Sequence, residues 1–201
     1  MAACEANPNA AKSEFLQTQQ RHYPSNHILI SCGTVPVDPS TRKIAVLRDS
    51  VDSTVWLPKG RKEIGEDLLA TALRETREET GLKVEALPLK VATRATPSQA
   101  LEGTFPVGEN PDVTDGLLNS EPSSVCVYPC IYTGALKMVF WFAAKVDEGD
   151  VPVEVAQAPW DENVRLEWVK ARDVAAMMAF KADGDVIEKV LADMRNSGYD
   201  I

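Results

Sequence analysis

The sequence predicts an α/β fold in which helices pack on a mixed β-sheet. Apolar, β-branched runs typical of strands alternate with helical patterns, and both short hairpin turns and longer crossovers separate the runs. The length of 201 residues, with 44% hydrophobic and 25% charged residues, is typical of a globular domain. We therefore expect a loose leader over residues 1–25 and a single domain over residues 26–201.

The predicted strands are short apolar runs bounded by turn-forming residues. In chain order they cover residues 27–35, 43–48, 55–58, 82–87, 89–94, 125–132, 136–146 and 164–169. Two prolines, an aspartate and a serine in residues 36–40 predict a hairpin between the first two runs. Thr133 and Gly134 predict a second hairpin between the two runs that flank them.

The strongest helical pattern covers residues 67–80, and Gly81 then provides a residue that adopts positive φ without cost. One side of this helix carries Leu69, Ala72, Leu73, Thr76 and Thr80. Further helices are predicted over residues 171–180 and 185–195. Residues 95–121 are rich in Pro, Gly, Asn, Asp and Ser, which predicts a long insertion loop of the kind that borders a functional site.

Charge and composition exclude several classes of function. The chain has 21 Lys and Arg against 30 Asp and Glu, a formal net charge of -9, which argues against binding long nucleic acids or anionic membranes. No stretch approaches the roughly 20 apolar residues of a membrane span, and the N-terminus has no signal-peptide pattern.

The cysteines indicate a reducing compartment. The four cysteines show no CxxC spacing, and two histidines are too few to complete an ordinary zinc site. Reduced thiols buried on strands are the simpler interpretation, and they favour the cytoplasm. A secreted protein expressed without its signal peptide would have the same sequence.

The segment from Gly60 to Leu82 carries a cluster of carboxylates. Glu75, Glu78 and Glu79 are spaced i, i+3, i+4, which places them on one face of the predicted helix. Their mutual repulsion would be relieved by protonation or by hard divalent cations such as Mg²⁺, which binds oxygen ligands and keeps several waters. The alternative is a solvated helix face with ion pairs to Arg74 and Arg77.

The same segment, GRKEIGEDLLATALRETREETGL, resembles the Nudix box Gx5Ex7REUxEExGU, in which U is aliphatic. The matching positions are Gly60, Glu66, Arg74, Glu75, Glu78, Glu79, Gly81 and Leu82, and Thr76 departs from the pattern at the first U. The resemblance implies a Nudix α/β/α sandwich that hydrolyses phosphoanhydrides, such as a nucleoside diphosphate linked to another group. It also implies a divalent cation, Mg²⁺ with Mn²⁺ as a substitute.

The resemblance further implies roles for individual residues. Glu78 and Glu79 would be the main metal ligands, and Glu75 would bind metal or deprotonate the attacking water. Arg74 would orient Glu75. Glu66 would assist metal binding and Gly60 would let the loop backbone approach metal and phosphate.

Some Nudix enzymes place the base, or a further metal ligand, on a loop after the box. In this chain, Glu154, Asp161 and Glu162 precede the last predicted strand. We select Glu162 as the candidate, against the alternative of an ordinary solvated acidic loop.

Cations around the glycine loop suggest the substrate class. Lys59, Arg61 and Lys62 surround Gly60, and such cations recognise added phosphates. Arg42, Lys43, Arg94 and Lys137 could extend this basic rim, although solubility at turns and strand ends also explains most of them.

The Pro58-Lys59-Gly60 form resembles the diphosphoinositol polyphosphate and diadenosine polyphosphate branch of the family. We therefore expect a small polyphosphorylated substrate from one of those two classes. The sequence does not indicate an oligomeric state.

Two other functions fit the sequence. An ADP-ribose or NTP pyrophosphohydrolase would need an aromatic clamp for the base, for which the candidates are Trp56, Phe105, Tyr128, Phe140 and Trp160. A non-catalytic binding module of the same fold would be expected to lack a glutamate of the box, and none is missing here.

Overall fold

The computed structural model describes residues 20–96, 114–146, 155–157 and 162–201. Most of the predicted leader and of the insertion loop lies outside these ranges. The same is true of four residues considered above, Phe105, Glu154, Trp160 and Asp161. Among the helices of the described residues, none has the length and apolar character needed to cross a membrane.

Within the described residues, nine strands and three α-helices are present, with 3₁₀ turns at Ser25–His27 and Ala175–Met177. The strands are β1 Ile28–Asp38, β2 Lys43–Asp49, β3 Val55–Trp56, β4 Lys59–Arg61, β5 Val84–Ala86, β6 Ser124–Pro129, β7 Leu136–Val146, β8 Val155–Gln157 and β9 Val164–Lys170. The helices are α1 Leu68–Thr80, α2 Ala171–Val174 and α3 Lys181–Asn196.

The strands form one mixed sheet in the order β5-β7-β1-β2-β9-β8. β1 and β7 are parallel, from Ile28 opposite Leu136 to Val37 opposite Lys145, and the other pairs are antiparallel. Three short strands are added at the side: β3 pairs with β2, β4 with β1, and β6 with β7. β4 therefore lies near the N-terminal end of β1.

Helices cover both faces of the sheet, so the predicted α/β architecture is confirmed. On one face, α3 buries Val186, Ile187, Val190, Leu191 and Met194 against the sheet core that includes Val35, Val46, Val139 and Trp141. On the other face, Ala72 of α1 packs with Cys32 and Phe142. Because this side of α1 packs on the sheet, the helix is held in a fixed position, and its opposite side carries polar groups.

Five element predictions differ from the structure. β4 and β8 lie in segments predicted as loops. Residues 89–94 contribute isolated bridges, Leu89 to Asn119 and Thr93 to Thr114, where a strand was predicted. The helix predicted over residues 171–180 ends at Val174, and α3 begins four residues before its predicted start. A glycine at position 184 of α3 allows the helix to approach Ala175 closely, since a Cβ atom there would lie 2.8 Å from the Ala175 carbonyl oxygen.

The bounds of α1 follow from its sequence. The Asp67 side chain accepts hydrogen bonds from the N–H groups of Leu69 and Ala70, at 2.9 and 3.3 Å, and so caps the helix. Gly81 ends the helix with a φ of 75°, as the sequence predicts.

Thr76 occupies the aliphatic position of the box, and the structure explains how a hydroxyl is accommodated there. The hydroxyl of Thr76 donates to the Ala72 carbonyl at 2.8 Å and lies 2.7 Å from the hydroxyl of Thr34 on β1. Since Thr76 has one proton to donate, Thr34 is the donor in the second bond. Both side chains are fully buried, so this bond fixes α1 to the centre of the sheet.

We predict that Thr76→Val destabilises the fold by about 1–3 kcal/mol, because it leaves the Thr34 hydroxyl buried without an acceptor. The double variant Thr34→Val/Thr76→Val removes both hydroxyls and should recover most of that loss. Urea unfolding of the wild type, both single variants and the double variant measures the coupling. Additive single and double effects would contradict the assigned bond.

Candidate active site

One part of the site is formed where β4 lies close to α1. A Cβ atom at Gly60 would overlap the carboxylate of Glu75, so a glycine here allows that carboxylate to lie against the loop backbone. One residue earlier, the Lys59 backbone N–H donates to Oε2 of Glu79 at 2.9 Å. The closeness of Gly60 to Glu75 explains the glycine at this offset from the helix.

Arg74 connects the acidic groups to each other. Its Nε donates to Oε1 of Glu66 at 2.8 Å, and its Nη1 donates to Glu75 at 2.8 Å and to Glu78 at 2.9 Å. Its Nη2 donates to Oε2 of Glu66 at 3.0 Å and to the carbonyl oxygen of Arg61 at 2.9 Å. These bonds use all five N–H groups of the guanidinium.

Glu66 is a strong acceptor at the start of this network. The pKa of Glu66 is lowered to about 2, mainly by the hydrogen bonds from Arg74. The Thr71 hydroxyl and the backbone N–H of Glu63 also donate to it, at 2.7 and 3.1 Å. The bond to Glu66 in turn raises the pKa of Arg74, so the pair is fully ionised.

Glu79 lies in a different environment, away from Arg74. Burial raises the pKa of Glu79 to about 7, and the charge of Glu75 acts in the same direction, while the hydrogen bond from Lys59 opposes it. A nearby positive charge strongly stabilises the ionised form of a desolvated carboxylate that lies beside other carboxylates.

The donor set fits a hard divalent cation in its chemistry. Glu66, Glu75, Glu78 and Glu79 supply four carboxylates against one guanidinium, and oxygen ligands are those that Mg²⁺ and Mn²⁺ prefer. Among the described residues, no group of three His, Cys, Asp or Glu side chains is arranged to hold a metal ion. Three of the four glutamates are instead turned toward Arg74.

The predicted basic residues separate into two groups. Lys59 and Arg61 belong to β4, whose backbone lies beside the carboxylates. Lys62 follows them, with its Nζ donating to the Glu63 carbonyl at 2.9 Å. Arg42 and Lys43 are not brought to this loop. They lie at the other end of the β1–β2 hairpin, about 16 Å along β1 by the usual rise per residue.

Arg42 forms an ion pair with Asp200 near the C-terminus, at that far end of the sheet. Both side chains are exposed, so the pair contributes little to stability. Arg42 and Lys43 therefore lie too far from the carboxylates to contact a substrate bound there.

Glu162 lies in an exposed turn immediately before β9. The adjacent Asn163 accepts a hydrogen bond from the Ser50 N–H at 2.8 Å, just after β2. Since β9 runs in the same direction as β1, Glu162 is at the same end of the sheet as β4. This position is compatible with the predicted role of Glu162, which stays a prediction.

Of the aromatic residues considered above that lie in the described part of the chain, Tyr128 is beside the basic rim. The Nζ of Lys137 lies 5.8 Å from its ring centroid. Trp56 packs with Leu47, and Phe140 packs against the α1 side of the sheet. Sequence patterns do not separate these cases because all three residues lie on predicted extended segments.

Comparison with known proteins gives a consistent family. A family model described as the NUDIX domain matches residues 27–190 of this chain. A C. elegans Ap4A hydrolase, solved as a binary complex, is 16% identical, covers 83% of this chain and 98% of its own, and has a TM-score of 0.53. Curated protein sequences give no significant match.

Two bacterial structures are similar to the same extent. A MutT protein from Bacillus halodurans is 20% identical, covers 81% of this chain and 82% of its own, and has a TM-score of 0.52. A NUDIX hydrolase from Nitrosomonas europaea is 17% identical, covers 82% of this chain and 88% of its own, with a TM-score of 0.50. These likenesses establish the fold.

We predict that Gly60→Ala lowers kcat/KM on the best substrate about 100-fold while the protein stays folded. The added methyl group displaces Glu75, and a misplacement of about 1 Å costs that much in rate. Steady-state kinetics and thermal unfolding check both parts.

Gly65→Ala is the matched control in the same loop. Its φ is 80° and, apart from its chain neighbours, nothing lies within 4 Å of an added Cβ, so it introduces backbone strain without displacing Glu75. Equal activity of the two variants would contradict the assigned contact between Gly60 and Glu75.

Proposed function

The chain belongs to the NUDIX family and is a pyrophosphohydrolase, and we propose that its substrates are dinucleoside polyphosphates, diphosphoinositol polyphosphates, or both. We propose Mg²⁺ as the cation, with Mn²⁺ as a substitute. We further propose that residues 26–201 form one Nudix domain and that the protein works in the reducing cytoplasm.

The observation that carries this proposal is the basic group beside the acidic cluster. Lys59 and Arg61 on β4 lie close enough to Lys137 on β7 to lower its pKa, although burial is the larger cause. Glu79 acts on the same ammonium in the opposite direction. Three cations next to metal-binding carboxylates suit a substrate with more phosphates than the one under attack.

We propose that Glu78 and Glu79 hold the divalent cation, with Glu75 and Glu66 as further ligands beside the Gly60 backbone. When bound, a divalent cation lowers the pKa of water and neutralises charge on the phosphate oxygens. Arg74 keeps the carboxylates oriented while no cation is present, and its fork can release Glu75 or Glu78 without losing Glu66.

The proton of the attacking water needs an acceptor. Glu75 is the proposed base, because Gly60 gives it direct access to the loop backbone where a phosphate would lie. Glu162 is the second candidate, at the same end of the sheet. Lys59, Arg61 and Lys62 would hold the phosphates that are not cleaved.

An ADP-ribose or NTP pyrophosphohydrolase is the second candidate function. Tyr128 favours it, since this residue is 40% exposed beside Lys137 and its ring could stack on a base. The number of cations at the loop favours the longer polyphosphates.

We predict that Glu79→Gln loses at least about 100-fold in turnover of every substrate, because a neutral amide is a poor ligand for a divalent cation. Phosphate release is measured with diphosphoinositol pentakisphosphate, diadenosine polyphosphates, ADP-ribose, cap analogues and NTPs, with Mg²⁺ and with Mn²⁺. Glu85→Gln is the control, since Glu85 is exposed on β5 and pairs with Lys145.

Two results would count against the proposal. Unchanged turnover by Glu79→Gln would remove Glu79 from the metal site. A higher kcat/KM for ADP-ribose than for any polyphosphate would leave the hydrolase standing and make the polyphosphate assignment wrong.

A further inference from the structure

A group of unpaired polar side chains lies on the α3 face of the sheet, next to the proposed metal site. In the register of β4 with β1, Arg61 is opposite Ser31 and Lys59 is opposite Gly33. Directly paired residues project to the same face of a sheet. Lys59, Arg61 and Ser31 therefore share one face, while Gly60 between them faces the carboxylates of α1.

β7 adds a third cation to this face. Its parallel register places Val139 opposite Ser31 and Lys137 opposite Leu29. Val139 belongs to the core that packs under α3, which identifies the face. We call Lys59, Arg61, Lys137 and Ser31, with Asp183 described next, the lysine pocket.

Asp183 belongs to the helix α3 that covers this face of the sheet. It lies in the first turn of α3, and α3 packs against β6 and β7. Lys59 and Lys137 act on the Asp183 carboxyl and oppose the rise in its pKa that burial causes. The same carboxyl raises the pKa of Tyr128, so Asp183 lies within electrostatic range of Lys59, Lys137 and Tyr128.

The polar groups of this pocket have few protein partners. Within the part of the chain that the structure describes, the side chains of Lys59, Arg61, Lys137 and Asp183 form no hydrogen bond or ion pair. The Ser31 hydroxyl is 1% exposed and also has no hydrogen-bond partner. Lys59, Lys137 and Asp183 are half-buried and Arg61 is exposed, so Ser31 is the buried member of the group. A buried hydroxyl is nearly always paired, so the unpaired Ser31 beside these charges points to a ligand.

The chemistry of the pocket distinguishes the two polyphosphate classes. Three cations bind phosphate oxygens, whereas a carboxylate binds hydrogen-bond donors and repels phosphates. A nucleoside supplies such donors through its ribose hydroxyls and, in adenosine, an amino group. A diphosphoinositol pentakisphosphate has a phosphate on every ring oxygen and so offers no hydroxyl to a carboxylate.

We propose that Asp183 is a specificity-determining residue, which favours dinucleoside polyphosphates over diphosphoinositol polyphosphates by accepting a hydrogen bond from the nucleoside and repelling a fully phosphorylated ring. This inference rests on the proposed function, because it chooses between the two substrate classes given there.

The first test is a change in substrate preference. For Asp183→Asn, the ratio of kcat/KM for diadenosine polyphosphate to that for diphosphoinositol pentakisphosphate should fall about tenfold, since a like-charge contact disappears. Asp185→Asn is the matched control, because Asp185 is two residues along α3 and pairs with Lys181 at the surface. An unchanged ratio in Asp183→Asn, or an equal change in Asp185→Asn, would overturn the inference.

The second test measures binding and needs no turnover. Calorimetry in metal-free buffer compares inositol hexakisphosphate with ATP as probes of the wild type and both variants. Asp183→Asn should bind inositol hexakisphosphate about tenfold more tightly and ATP no more tightly. An equal gain for both probes, or no gain, would overturn the role of Asp183, whereas the absence of polyphosphate hydrolysis by the wild type would defeat the proposed function alone.

Discussion

The whole site depends on the pairing of one guanidinium with three carboxylates. Arg74 uses its five N–H groups to hold Glu66, Glu75 and Glu78 and the carbonyl of Arg61, so it joins the loop before α1, the helix itself and β4. A lysine could not replace it, because an ammonium lacks the planar fork that contacts several partners at fixed angles. Removing the guanidinium would leave neighbouring carboxylates without compensation, which is costly for partly buried charges.

The three-residue strand β4 separates the acidic side of the site from its basic side. Because side chains alternate along a strand, Gly60 turns to the carboxylates of α1 while Lys59 and Arg61 turn to the opposite face. The acidic and basic groups are thereby adjacent without neutralising each other. This separation also explains how a protein with a net charge of -9 can present a local cluster of cations to a small anion.

The features that the sequence predicted are those determined by local spacing. The carboxylates of α1 and the glycine at its end follow from offsets of a few residues, and the structure confirms the helix within one residue. β4 was not predicted, since a Lys-Gly-Arg segment becomes a strand only through pairing with β1. Ser31 and Asp183 have no local signal either, because the β1–β7 register and the packing of α3 bring them to the site. Arg42 and Lys43 were included for their charge, and the hairpin carries them to the far end of the sheet.

The parallel pairing of β1 with β7 has a consequence for chain entropy. Residues paired in this ladder are 108 positions apart in the sequence, so forming it closes a very long loop. The closure cost grows only with the logarithm of loop length, by about 0.6 kcal/mol for each doubling. A longer connection between β5 and β6 would therefore add little to this closure cost, whereas the high contact order makes the ladder slow to form. Length at this connection is thus a property that the ladder tolerates in its equilibrium stability and that separation along the chain penalises in its folding rate.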